Sequence, residues 1–177
     1  HEILEELGLT IPKDSKLVVF RESETKAAYL GKGDVAVEAV RILASRHPEW
    51  HFVSRPRYGV PEFAEKMGTI PPNVHIFAEP VDLQSLLAAS DLFIGGGGTM
   101  SIEAAYYGVP VISTRHAKTT YYEQYLIEEG LVYRAVFPES AARLAEREIT
   151  YKTSTPSIFG AMHYPLEDIV SILEAAL

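Results

Sequence analysis

The sequence predicts an α/β fold, a doubly wound parallel sheet of six strands with helices on both faces. Three observations carry that expectation. Short apolar runs recur along the chain, each followed by a helical segment. The first of them, residues 16–20, shows no polar alternation past Lys16, as in a strand covered on both faces. Between Asp91 and Ser113 an apolar run enters four consecutive glycines, a helix and a Gly-x-Pro turn before a second apolar run. Strand, crossover helix and strand in that order imply right-handed crossovers and a parallel sheet.

The elements follow in order. Residues 2–7 suit a short helix ended by Gly8, and residues 10–14 form a polar lead-in. Residues 16–20 read as the first strand. Asp34 is suited to cap a helix running to Arg46, whose polar stripe is Glu38, Arg41 and Ser45. Residues 51–54 are the second strand, and residues 61–67 a helix with proline in its first turn. Residues 74–77 make the third strand, and Asp82 caps a helix over residues 83–89. The fourth and fifth strands, residues 92–94 and 109–113, flank the glycine loop and its helix. A helix over residues 121–129 closes at Gly130, and residues 131–136 are the sixth strand. A helix over residues 139–147 follows, then a polar irregular stretch over 150–157. Residues 165–177 are helical, with Leu166, Ile169, Val170, Leu173 and Leu177 apolar. No repeat, low-complexity tract or second domain is visible, so residues 1–177 are expected to form one domain. Ligands of such sheets sit at the carboxyl ends of the strands. Arg21, Arg55, Phe77 and Gly95 fall just past strand ends and are expected to gather at one rim.

The glycine loop carries the chemistry. Gly95, Gly96, Gly97 and Gly98 have no side chains, so a ligand can approach the main chain closely. The N–H groups opening the next helix, at Thr99 and Met100, point outward with the positive end of its dipole. A phosphate or diphosphate suits that arrangement. A tight turn alone seldom needs four glycines. Better-known phosphate sites do not fit. A P-loop needs Lys-Ser/Thr where Thr99-Met100 stands, and the dinucleotide fingerprint needs a third glycine where Met100 or Ser101 stands. No Gly-x-Ser-x-Gly elbow is present. Glu103 lies one turn beyond Thr99 on the same face. There it can accept hydrogen bonds from vicinal hydroxyls, such as those of a ribose, or simply complement the helix dipole.

Composition narrows the partners. The chain is 47% hydrophobic over 177 residues, long enough for a well-buried core. A net charge of −8 and a pI near 5.2 argue against a nucleic-acid or membrane-surface binder. An anion would be held by local N–H groups and a few arginines, not by the field of the whole protein. The chain has no cysteine, which excludes disulfides and thiolate metal sites and suits a cytoplasmic setting. No apolar run is long enough for a membrane span, and no signal peptide is present. The first residue is His1 rather than Met, consistent with processing, trimming or origin within a longer protein.

Other constellations are weaker. His47-Pro-Glu-Trp-His51 brings His and carboxylate together, but Pro48 breaks helical presentation of metal ligands. No Asp-x-Asp motif occurs, and no metal is expected. Arg55 and Arg57 offer guanidinium forks to a phosphate or carboxylate, or are simply solvated. His116 follows a strand end and is a candidate acid or base, or a plain surface histidine.

The pattern Gly97-Gly-Thr-Met-x-x-Glu103-Ala-Ala-x-x-Gly108-x-Pro110-x-x-Ser113 resembles the C-terminal Rossmann-like half of GT-B enzymes. That superfamily includes a lipid-linked N-acetylglucosaminyltransferase and the non-hydrolysing UDP-N-acetylglucosamine 2-epimerases. Closest in resemblance is an uncharacterised, largely archaeal family known as domain of unknown function 354. Its interdomain connection resembles residues 2–8, and its loop after the first strand resembles Arg21 and residues 26–30. The resemblance implies that Gly97, Gly98, Thr99 and Met100 give main-chain contacts to a diphosphate and that Glu103 holds the ribose of a uridine nucleotide. It places Phe77 main chain beside the base and Glu123 and Gln124 near the donor sugar, with Glu123 a further catalytic candidate beside His116. Arg21 is expected to aid diphosphate release. Two features depart from the epimerases. Phe20-Arg21 stands where they carry His-Arg, and Ile102 precedes Glu103 where they carry adjacent carboxylates. The segment 159–169 matches the family's closing turn and helix only in part.

The function expected is therefore donor binding in a UDP-sugar glycosyltransferase-like protein. The alternatives are a non-catalytic nucleotide or nucleotide-sugar binding module, or an epimerase-like isomerase. Its partners would be a nucleotide-sugar donor and an N-terminal acceptor-binding domain, with no cofactor and no nucleic acid. Alone, the chain is expected to be inactive. The base, sugar, acceptor and oligomeric state are not legible.

Overall fold

The computed structural model describes residues 2–23, 34–57, 59–162 and 165–175. The chain runs α1 (Glu2–Glu6), β1 (Leu17–Arg21), α2 (Val35–Arg46), β2 (His51–Ser54), α3 (Val60–Met67) and β3 (Val74–Ile76). It continues α4 (Leu83–Ala89), β4 (Leu92–Gly95), α5 (Thr99–Tyr106), β5 (Val111–Ser113), α6 (Tyr121–Glu128), β6 (Val132–Arg134) and α7 (Pro138–Glu148). Two helices follow, α8 (Ser157–Gly160) and α9 (Leu166–Ala175). Residues 26–30, part of the expected loop resemblance, and His163-Tyr164 lie outside the described residues.

The six strands form one sheet in the order β3-β2-β1-β4-β5-β6. Every pairing is parallel. The sheet therefore winds one way from β1 through β2 to β3, then returns to β4 beside β1 and winds the other way. β1 and β4 pair from Val18 opposite Leu92 to Arg21 opposite Gly95, so both strands end level. A crevice outside those two ends is the expected ligand position of a doubly wound sheet.

Alternation of side chains across the pleat, with both faces covered, explains why the central strands β1 and β4 are so apolar. On one face Val18, Phe20, Phe52, Leu92, Ile94 and Ile112 pack under α2, α3 and α7. On the other, Leu17, Val19, Val53, Phe93 and Val111 pack under α1, α4, α5 and α6. Phe20, Phe52 and Phe93 are each at most 1% exposed, and burial of such a side chain contributes about 1.5–3 kcal/mol.

The expected caps form. Asp34 accepts from Ala36 and Val37 N–H at 3.0 and 3.3 Å at the start of α2. Asp82 does the same for Gln84 and Ser85 at 3.1 and 3.3 Å in α4. Gly108, at φ +69, ends the α5 region, and a Cβ there would lie 2.2 Å from the Thr153 carbonyl oxygen. That glycine lets the 150–154 segment dock, as the Thr153 N–H bond to Gly108 O at 3.0 Å shows. α9 forms where periodicity predicts it, but Leu166, Ile169, Val170, Ile172 and Leu173 remain exposed. No helix among the described residues is long and apolar enough to cross a membrane.

Candidate functional site

The carboxyl ends of four strands converge on one cavity of about 250 Å³. β1 supplies Arg21 and, just beyond it, Glu22 and Ser23. The segment after β2 supplies Arg57, that after β4 supplies Gly96, Gly97 and Gly98, and that after β5 supplies Arg115 and His116. Thr99 and Met100, the first residues of α5, complete the wall. This is the point where the strand order reverses.

α5 differs from α2 and α4 at its start. Its N-cap is Gly98, at φ +93, and no side chain caps it. A helix start without a side-chain cap keeps first-turn N–H groups for another acceptor, and the helix dipole favours an anion there. Arg21, Arg57 and Arg115 line the same space. Arg21 is held in place by its Nη1 donating to Met100 Sδ at 3.0 Å. Arg115 Nε donates to Lys118 O at 3.2 Å and stands 3.7 Å from Glu123 Oε2. Chemically the cavity offers main-chain donors and three arginines, a set suited to phosphate oxygens.

The loop after β1 is anchored from below. Ser23 N–H donates to Asp34 Oδ2 at 2.7 Å, so the residue that caps α2 also fixes this wall. Burial pushes the Asp34 carboxyl above its ordinary value, against the opposing pull of its main-chain hydrogen bonds.

The candidate residues from sequence divide into two groups. Arg21, Gly96, Gly97, Gly98, Thr99, Met100 and His116 meet in the cavity. Gly95 closes β4 just beneath, where a Cβ would meet the Phe93 ring at 2.8 Å. Glu103 is half-buried one turn further along α5, outside the residues lining the cavity. Phe77 also lies outside, packed against the core face under α4, with its N–H donating to Ser54 O at 3.0 Å. Arg55 turns to Glu79 O at 3.3 Å. Glu123 sits behind the glycine loop, 2% exposed, accepting Ser113 Oγ–H at 2.6 Å. Gln124 is exposed, bonded to Thr119 Oγ1 at 3.3 Å and Glu128 Oε1 at 3.0 Å. The His47-to-His51 motif is engaged in packing: His47 stacks on Trp50 at 4.0 Å and meets Glu146 Oε1 at 3.1 Å.

Among the charged wall residues, Glu22 and Arg115 were not singled out from sequence. Glu22 immediately follows the candidate Arg21, and Arg115 lies two residues beyond Ser113, the end of the expected fifth strand. Extending the rim by two residues past every strand end would have found both.

Residues 1–154 match the model of a family described as "Protein of unknown function (DUF354)". The uncharacterised protein MJ0665 of Methanocaldococcus jannaschii is 31% identical over 130 residues, covering 73% of this chain and 36% of that protein. A UDP-GlcNAc 2-epimerase of the same organism, solved with UDP-GlcNAc and UDP, superposes with a TM-score of 0.71 at 16% identity, covering 99% of this chain and 49% of that one. The calicheamicin glycosyltransferase CalG4 superposes with a TM-score of 0.55 at 23% identity, over 79% of this chain and 36% of that one. The chain thus spans about a third of its curated relative and under half of these two structures. The fold is the Rossmann-like fold that GT-B glycosyltransferases and UDP-GlcNAc 2-epimerases share. With most of its length matched, the chain belongs to the DUF354 family.

Proposed function

We propose that this chain is the nucleotide-sugar-binding half of a GT-B-type glycosyltransferase-like protein, with a UDP-sugar as donor. One observation carries the reading: the start of α5, without a side-chain cap, and three arginines share a single cavity where the strand order reverses. The diphosphate lies on the glycine loop between Arg21, Arg57 and Arg115. Glu103 accepts the ribose hydroxyls one turn further along α5. With the Phe77 N–H taken by Ser54, the base contact falls to the Phe77 carbonyl. His116 at the cavity wall and Glu123 behind it are the catalytic candidates, and Glu123 and Gln124 the sugar-side ones. Electrostatic stabilisation of the departing diphosphate is the chemistry this wall supplies.

Transfer is favoured over epimerisation by Phe20. It occupies the position where the epimerases carry histidine, and its side chain is 1% exposed in the core beneath α2. An acceptor-binding N-terminal domain forms the other wall of the cleft. Without it donor and acceptor are not held in register, so the chain alone binds donor without turnover.

A thermal-shift panel of UDP, GDP, CMP, dTDP and their sugar conjugates tests the reading. UDP compounds are expected to raise the melting temperature most. Glu103→Ala is expected to weaken UDP binding by about 1–3 kcal/mol, the range for truncating a hydrogen-bonded charged group. A panel in which no nucleotide raises the melting temperature would overturn the proposal, and unchanged affinity in the variant would remove the ribose role.

A further inference from the structure

Glu22 is a buried acid in a wall of cations. It follows β1, is 2% exposed and lines the cavity beside Arg21, Arg57 and Arg115. One carboxylate oxygen, Oε1, accepts the main-chain N–H of Arg57. The other, Oε2, is buried and has no hydrogen-bond partner among the described residues. Buried polar atoms are paired in nearly all folded proteins, so an orphan on a residue that lines a cavity marks a valence that a ligand can fill.

The chemistry of that valence is specific. The rest of the wall donates: guanidinium groups and the N–H groups of the glycine loop. Oε2 accepts. A second phosphate or any further anion at this point would meet like charge. A neutral group bearing a hydroxyl or an amide N–H, carried next to a diphosphate, satisfies both sides of the cavity at once. That is the character of a sugar joined to a nucleoside diphosphate.

We infer that Glu22, through Oε2, is a specificity residue that accepts a hydrogen bond from a hydroxyl or amide N–H of the donor sugar. It thereby favours sugar conjugates over free nucleoside diphosphate. The inference rests on the nucleotide-sugar reading of the cavity. It assigns Glu22 two separable tasks: Oε1 tethers the Arg57 segment, and Oε2 reads the ligand.

Glu22→Gln separates them. Its amide oxygen can keep the Arg57 N–H, while its NH₂ replaces the acceptor with a donor. Calorimetric titration of UDP, UDP-glucose and UDP-GlcNAc into the unaltered chain and this variant reads the outcome. The variant is expected to bind UDP at least as tightly as the unaltered chain. Its preference for at least one sugar conjugate over UDP is expected to fall by about tenfold or more, as for loss of one hydrogen bond to a charged group. Should the variant's melting curve show that it does not fold, Glu22→Asp, which withdraws the oxygen by one methylene, carries the same comparison with the same expected loss. UDP binding with an unchanged preference for both sugars overturns the inference and leaves the cavity reading intact. Failure of all three compounds to bind the unaltered chain overturns both.

Discussion

Gly97 and Gly98 set the path of the main chain over the cavity, at φ +84 and +93. Their neighbours differ. A Cβ at Gly97 would lie 3.3 Å from Glu123 Oε1 and 3.4 Å from Arg115 Cδ, whereas one at Gly98 meets nothing within 4 Å. Strain rather than collision is therefore the consequence of substituting Gly98. Gly98→Val is expected to destabilise the fold by about 1–3 kcal/mol through its positive φ and to lose diphosphate binding. Thermal melting and UDP titration check it, and an unchanged melting temperature with normal binding would count against the cradle. The sequence presents four equivalent glycines. In the structure two answer to packing, since Gly95 clears the Phe93 ring and Gly96 clears Ser23, where a Cβ would lie 3.2 Å from its Cα. Glu123 shows the reverse limit. Its helical position is readable, but its burial depends on Ser113 and Arg115, brought together by the β5–α6 turn. Spacing along one helix carries no information about such partners.

At the scale of elements, β2 and β3 are joined by more than their ladder. His51 Nδ1 and His75 Nε2 stand 3.0 Å apart with their rings stacked at 5.3 Å. Burial pulls both imidazoles below their ordinary 6.5, and for His75 the neighbouring His51 adds to the effect. Each therefore binds protons less readily folded than unfolded. Their contribution to stability is complete above about pH 6.5 and declines as pH falls through the lower folded values. Chemical denaturation across pH 5 to 8 is expected to show stability falling below about pH 6.5, with a shallower fall in His75→Gln. Equal slopes in the two proteins would show that the pair does not titrate as described. Elements themselves were largely legible. Short, mostly apolar runs identified all six strands of the sheet, and the Asp34 and Asp82 caps fixed two helix starts. α8 was missed because four residues, Ser157–Gly160, are too few to show a helical period.

The whole molecule carries a net charge of −8 yet concentrates three arginines and a helix start in one cavity. Under the proposed function, an anionic ligand would be recruited by local geometry against the overall field. Neither Arg57 beside Arg115 nor the free oxygen of Glu22 could be read from sequence, because each depends on which strand ends lie together. The strand order β3-β2-β1-β4-β5-β6 is what places them at one crevice. On the proposed reading, the cavity holds the diphosphate of the donor rather than its nucleoside. Side-by-side calorimetry of UDP and uridine tests that claim most directly. UDP is expected to bind with at least tenfold higher affinity than uridine, and Arg57→Ala is expected to reduce that advantage, as removal of one charge-assisted contact does. Equal affinity for UDP and uridine, or no binding of UDP, would rule out a diphosphate site in this cavity.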